Sequence, residues 1–455
     1  MIPDWLVERL REGGEAPAIV RGDHAFSYSA LSARVRELID ELEDRGVPRG
    51  AVISLEGDYS PDACALLLAL VDRGAVVVPL TDASAGRRDR FLEIAGVEWT
   101  IRLLPSGGRE YGPREESTVH PLVERLRAAR DAGLVLFTSG STGEPKAALH
   151  SFALLLKKFE TRRPALRTMT FLLLDHIGGI NTLFHILSNG GSVIVPEGRS
   201  PDVVCAAIER HGVQLLPTTP TFLNLLLLSE ALSRHDVRSL RQITYGTEPM
   251  PDSTLQALHH ALPGVRLSQT YGLSELGILR ARSKSSDSLW VRLDGEGVEL
   301  RVQDGTLRIR SASAMLGYLN APSPFDAEGY FDTGDLVERD GDWLRILGRA
   351  TEVINVGGNK VLPVEVENVL LAMENVADVE VHGEPSPIMG RIVVATVRLA
   401  HPEDPAAFKT RMRLFCQGRL PDYKTPARVR FSDGLHSARF KKVRSAGGAV
   451  EATGS

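Results

Sequence analysis

The chain has 455 residues, roughly three times the ~150 of a typical domain, so one large domain with a smaller companion is the first expectation. A hydrophobic fraction of 43% and a charged fraction of 24% exclude a mainly disordered, collagen-like or membrane-embedded chain. With 53 basic against 58 acidic side chains the net charge is −5, too mild a field to recruit nucleic acid or an anionic membrane, and neither is expected as a partner.

Residues 1–13 carry Asp4, Glu8 and interspersed arginines where a secretory leader would have an apolar run. Apolar spacing predicts a helix over 31–42, a strand over 51–55, a helix over 60–71 and a strand over 75–79, the alternation of an α/β layer protein. The longest apolar stretch, 63–80, is broken by Asp72, Arg73 and Gly74, too early to span a bilayer. A polar loop rich in Gly, Arg and Glu over 105–117 precedes a helical stretch and a buried strand over 133–137. Strands over 192–196, 213–217 and 242–245, with helices over 201–211 and 221–228, extend the doubly wound pattern to about residue 280.

From Leu289 short alternating strands separated by turn signals, Asp304-Gly305 and Asp340-Gly341-Asp342, predict a small β subdomain. Beyond Gly348-Arg349 the order is strand (353–356), Gly pair, helix (363–373), strands (376–381 and 392–399) and helix (405–420), which suits a compact α+β domain. The expected fold is therefore α/β: a large N-terminal domain of doubly wound sheets plus a small β subdomain over 1–350, then a small mobile α+β C-terminal domain over 351–455. Cys64, Cys205 and Cys416 stand far apart, in no disulfide or zinc-ribbon spacing, so a cytoplasmic location is expected.

The loop Thr138-Ser139-Gly140-Ser141-Thr142-Gly143-Glu144-Pro145-Lys146 follows the 133–137 strand. Its glycines allow backbone N–H groups close to an oxyanion, its hydroxyls donate, and Lys146 adds a point charge. It is not a Walker A loop, because Pro145 precedes the lysine where that motif has Gly. Composition alone leaves open a flexible Ser/Gly turn.

Read with the rest of the chain, this loop resembles the phosphate loop of the superfamily of AMP-forming enzymes that includes acyl-CoA synthetases, peptide-synthetase adenylation domains and luciferases. Gly246-Thr247-Glu248-Pro249 is similar to that family's adenine-pocket loop, and Tyr271-Gly272-Leu273-Ser274-Glu275 resembles its tyrosine and metal motif. Tyr330-Phe331-Asp332-Thr333-Gly334-Asp335 and Gly348-Arg349 resemble its ribose-binding segments. Val356-Gly357-Gly358-Asn359-Lys360 and Glu365-Val366-Glu367 are similar to the turn and helix start of its mobile C-terminal domain. Taken singly, these are also a plain turn, a surface arginine, a solvated carboxylate and a core tyrosine; their number and order carry the resemblance.

The resemblance implies ATP as substrate and Mg2+ as cofactor. Thr138, Ser139, Gly140, Ser141, Thr142, Gly143, Lys146 and Ser274 would hold phosphate, and Gly246, Thr247, Glu248, Tyr271 and Gly272 the adenine. Asp335 and Arg349 would hold the ribose and Glu275 the metal. An ionised carboxylate can accept two hydroxyl hydrogen bonds and a guanidinium offers a rigid fork of donors, which suits the ribose pair. The catalytic lysine implied for the C-terminal tail aligns with Lys442, with Lys441 where the family usually has Gly. Two further departures are Ala147, where Gly is frequent, and the hinge position Thr351, where Asp or Lys is usual.

Asp175-His176-Ile177-Gly178-Gly179 resembles the acyl- and aryl-acid branch, in which His176, Ile177, Gly178 and Gly179 would wall the acid pocket and the paired glycines would leave room for a ring or chain. Amino-acid-activating relatives place Asp at the position of Ile177, so an α-amino acid is not expected. His176 taken alone is equally a core histidine. The implied reaction makes an acyl-AMP from a small carboxylic acid, then transfers the acyl group to the thiol of CoA or of a phosphopantetheinyl carrier protein. An amide-forming ligase and a noncatalytic nucleotide- or acyl-binding relative are the alternatives. The retention of Lys146, Glu275 and Asp335 speaks against the last.

Overall fold

The computed structural model describes residues 1–114, 119–139 and 144–432. Nine consecutive residues, Ala63 to Val71, are buried on every side of the helix Pro61–Asp72. A helix apolar all round has no face for water and must be enclosed. It shares one apolar cluster with the helices Tyr28–Asp44 and Ile177–Ser188 and with strands from two sheets. Its start is fixed by Ser60, whose hydroxyl accepts from the Ala63 amide at 3.0 Å, with Pro61 in the first turn.

The first sheet has seven strands in the spatial order Arg266–Gln269, Gln242–Tyr245, Leu215–Thr218, Arg167–Met169, Ser192–Val195, Pro17–Arg21 and His24–Ser27. All neighbours pair in parallel except the last two. The second, also seven-stranded, runs Gly317–Tyr318, Pro145–Ser151, Gly133–Ser139, Val76–Leu80, Val52–Glu56, Trp99–Leu103 and Arg109–Pro113, parallel in the middle and antiparallel at both edges.

Two expectations are corrected here. The stretch read as a polar loop contains the edge strand Arg109–Pro113, which pairs antiparallel with Trp99–Leu103. Its charges are edge protection: Arg109 pairs with Glu41 at 2.8 Å while Tyr111 packs against the main core. The doubly wound region also ends earlier than residue 280. Strand Tyr271–Leu273 already pairs antiparallel with Gly277–Ser283 and opens a third, all-antiparallel sheet of seven strands. A three-residue strand and a hairpin closed by Gly277 at φ 75° leave too little alternation to read from sequence.

In that third sheet the hairpin Glu299–Gln303/Thr306–Arg310 turns through Asp304 and Gly305, both at positive φ (52° and 78°), as a two-residue primed turn requires. The strands Phe331–Asp340 and Trp343–Arg349 pair so that Asp335 lies opposite Arg349. The remaining five-stranded sheet, from Ile354–Val356 to Arg428–Phe431, carries the helices Pro363–Leu371 and Pro405–Cys416. Among the described residues its apolar cluster draws only on those from Ile354 to Val429. The Asn224 side chain reaches across to it, its Nδ2 donating to the Ala377 carbonyl at 2.8 Å. Among the described residues no helix is long and apolar enough to cross a membrane.

Candidate active site

A cleft of about 1590 Å³ opens where the parallel strands Gln242–Tyr245 and Arg266–Gln269 end, the carboxyl edge at which α/β sheets bind ligands. Gly246 directly follows the first of these strands, and a Cβ there would stand 2.4 Å from Thr270 Oγ1. Only glycine lets the two strand ends come so close. Thr247, next along, is a β-branched residue at φ 75°, a strained conformation that clusters at ligand sites. The Glu248 side chain accepts from the Thr221 amide at 2.9 Å, which fixes this loop to the start of the helix Pro220–Leu228.

Tyr271, Asp335 and Arg349 form one polar cluster. The Tyr271 hydroxyl donates to Asp335 Oδ2 at 2.6 Å, and Arg349 Nε lies 2.9 Å from Asp335 Oδ1. Arg349 also donates to the Thr333 carbonyl, and Thr333 Oγ1 accepts from the Asp335 amide at 3.1 Å. Burial raises the Asp335 pKa against the opposing pull of Arg349 and Tyr271. Burial, then the neighbouring carboxylate, raises the Tyr271 phenol and so keeps it a donor. The Tyr271 ring packs in the apolar core of the third sheet, while Arg349, Gly272 and Thr351 line the cleft. Thr351 is exposed in the short 3-10 turn Ala350–Glu352.

Glu275 lines the same cleft, half-buried, with one oxygen accepting from the Tyr318 hydroxyl at 2.8 Å. The Lys146 ammonium sits 5.4 Å from the Tyr318 ring centre, so the tyrosine joins the lysine and carboxylate. Lys146 pairs across the hairpin with Thr138, which lines the cleft. Asn320 holds the base of that hairpin from outside, its Nδ2 donating to the Pro145 carbonyl at 2.8 Å and its Oδ1 accepting from the Ala147 amide at 3.0 Å. Sequence reasoning missed Tyr318 and Asn320. They stand more than 170 residues from the loop they serve, with no spacing to mark them.

Ser274 also lines the cleft, and its carbonyl accepts from Nε2 of the fully buried His150 at 2.5 Å. Burial lowers the His150 pKa to about 4, so the ring is neutral, with its proton on Nε2. Gly140, Ser141, Thr142, Gly143, Lys441 and Lys442 lie outside the described residues. No group of three or more His, Cys, Asp or Glu converges among those described. Mg2+ does not need one, since it keeps several waters and takes one or two carboxylates plus phosphate oxygens; Glu275 fits that role.

His176, Ile177 and Gly178 line the cleft at the start of the helix Ile177–Ser188, and His176 Nδ1 caps it by accepting from the Gly178 amide at 3.0 Å. Gly179 does not line the cleft. A Cβ there would fall 1.9 Å from the Leu173 carbonyl oxygen, so this glycine serves close packing and leaves no room for substrate. Asp175 is buried and accepts from the Thr81 and Ser84 hydroxyls at 2.9 and 2.5 Å.

The profile of the AMP-binding enzyme family matches residues 6–319, and that of the AMP-binding enzyme C-terminal domain matches residues 365–442. The chain belongs to the AMP-binding enzyme family. This AMP-binding enzyme is 28% identical over 495 residues to the indoleacetate–CoA ligase of Aromatoleum aromaticum, an alignment covering 97% of this chain and 96% of that one. Its fold is that of the anthranilate CoA ligase AuaEII solved with anthranoyl-AMP (TM-score 0.82, 21% identity, 96% and 95% of the two chains). It is also that of the amide bond synthetase McbA of Marinactinospora thermotolerans (TM-score 0.77, 24% identity, 96% and 97%).

Proposed function

We propose that this protein joins an aryl or acyl carboxylic acid to ATP, forming an acyl-AMP and pyrophosphate, and then passes the acyl group to the thiol of CoA. The observation that carries this reading is the Tyr271–Asp335–Arg349 cluster, in which Arg349 lines the cleft that Glu275 and Gly246 also line while Tyr271 and Asp335 are buried behind it. It offers ionised acceptors and fixed donors for a ribose beside a site for phosphate.

A carboxylate is a poor acylating agent because its leaving group would be oxide. In the first step a substrate carboxylate oxygen attacks the α-phosphorus, the bond to the β-phosphate oxygen breaks, and pyrophosphate leaves. Lys146 and the hydroxyls and amides of its loop would offset the charge that develops on the phosphoryl oxygens. Mg2+ held by Glu275 would neutralise triphosphate charge. Lys442 is proposed to close over the carboxylate and α-phosphate. In the second step the segment beyond the hinge Thr351, residues 351–455, would turn relative to residues 1–350 and admit the acceptor. The thiolate attacks the acyl carbon and AMP departs; a phosphopantetheinyl carrier protein could present the same thiol.

The buried Asp175 is engaged by two hydroxyls, which supports an acid without an α-ammonium group. We assign the enzyme to the cytoplasm.

The test is pyrophosphate release over a panel of carboxylic acids, with and without CoA. Acid-dependent release followed by CoA thioester formation supports the proposal; no release with any acid overturns it, and product only with amines would make it an amide ligase. Lys442→Ala should cut acyl-AMP formation about a hundredfold or more while ATP binding survives. Normal adenylation by that variant, with the loss in Lys441→Ala instead, would move the catalytic role to Lys441.

A further inference from the structure

The floor of the acid pocket carries a feature that adenylation does not use. Gly178, Asn181, Thr182 and His185 all line the cleft, at positions that share one face of the helix Ile177–Ser188. Seven residues at 1.5 Å each place His185 about 10 Å further along that face than Gly178. The apolar residues Leu172, Leu215, Pro217 and Ile278 line the same cleft.

At the His185 end the chemistry changes. Lys158 lines the cleft and donates from Nζ to the Ile278 carbonyl at 2.8 Å, with Phe159 beneath its ammonium at 5.1 Å. Ile278 lies in the strand Gly277–Ser283, and both this strand and the turn Lys157–Phe159 pack against the helix Ile177–Ser188, so Lys158 stands on the side of the cleft walled by that helix. No carboxylate among the described residues forms an ion pair with Lys158, nor with Arg163 at the rim; Asp294 nearby is taken by Arg280 and Arg292. Burial, reinforced by Arg163, lowers the Lys158 amine to about 7, as expected of a cation enclosed without its counter-charge.

His185 supplies a second donor, and its tautomer follows from its neighbours. The Arg163 amide donates to Asn189 Oδ1 at 2.6 Å, so the other amide atom of Asn189 is the NH2 group. That group donates to the His185 carbonyl at 2.6 Å and lies 3.4 Å from Nδ1, which leaves the ring proton on Nε2. The segment is held rigidly, because Arg9 clamps the Phe159 and Ser188 carbonyls at 2.6 and 3.2 Å and the Glu160 carbonyl at 2.5 Å.

We propose that Lys158 and His185, with Arg163 at the rim, form a carboxylate-receiving subsite, so that the acid activated by this enzyme is a dicarboxylate. This rests on the ligase reading above. An enclosed ammonium and a fixed N–H gain a charge-assisted partner only when such an acid is bound, and a monocarboxylate would leave them facing apolar chain.

The experiment compares pyrophosphate release by the full-length enzyme with adipate and suberate against hexanoate and octanoate. The expected result is a kcat/KM at least about tenfold higher for one of the dicarboxylates, a difference of about 1.4 kcal/mol. Lys158→Met should collapse that ratio toward one, chiefly through KM, while Lys158→Arg retains most of it; matching melting curves establish that both variants fold. Turnover of the monocarboxylates at equal or higher efficiency by the wild type overturns the inference and leaves the ligase reading standing. An undiminished preference in Lys158→Met also overturns it. No turnover with any acid removes both.

Discussion

Asp335 is the residue at which burial and charge compete most directly. Its carboxyl must be ionised to accept from ribose hydroxyls, yet burial raises its pKa. ATP affinity should therefore fall on acidification from a pH above the ordinary carboxylate value of about 4. Asp335→Asn should lower kcat/KM for ATP roughly ten- to a hundredfold, the worth of a hydrogen bond to a charged group, and remove that acid limb. An unchanged profile would contradict the assignment. The stability consequence has the opposite sign: a folded-state pKa above the unfolded one contributes stability at low pH that is lost as pH rises through the folded value. Tyr318 offers a second test, because its hydroxyl occupies one oxygen of Glu275. Tyr318→Phe should change the Mg2+ concentration for half-maximal turnover by about fivefold, corresponding to a net hydrogen bond of about 1 kcal/mol.

Elements show where the sequence was legible and where it was not. The helix expected over 201–211 is the helix Pro201–His211, and the strand over 242–245 is Gln242–Tyr245, because caps, proline and β-branched runs act locally. Local signals also located the motif loops in order. They failed where the reason for a residue is a distant backbone. Gly178-Gly179 reads as open space in sequence, yet Gly179 is there because the Leu173 carbonyl comes within 1.9 Å of where a Cβ would be. Gly179→Ala should destabilise the fold by about 1–3 kcal/mol, measured by denaturant titration, since a backbone carbonyl cannot swing aside. A neutral result would mean that the turn before this helix yields. Tyr318 and Asn320 were invisible for a related reason: a two-residue strand pairing with Pro145–Ser151 brings them to the phosphate loop.

For the whole molecule, the enclosed centre sets the response to acid. His150 is fully buried and its pKa is depressed to about 4, below an unfolded value near 6.5. The stability linked to it is complete above the unfolded pKa and is lost as pH falls through the window down to about 4. For a group without solvent contact that amounts to something on the order of 3 kcal/mol. Denaturant midpoints taken between neutral pH and pH 5 should fall accordingly, and His150→Gln should flatten that dependence; an equal slope in the variant would assign it elsewhere. The clamp made by Arg9 reaches further than stability. Arg9, in the helix Asp4–Glu12, grips carbonyls 150 to 179 residues downstream, next to Lys158 and one turn beyond His185. The acid pocket can thus be retuned from its reverse side, and changes at the amino terminus offer a route to altered selectivity, in natural drift or in engineering, that leaves every substrate-facing residue intact.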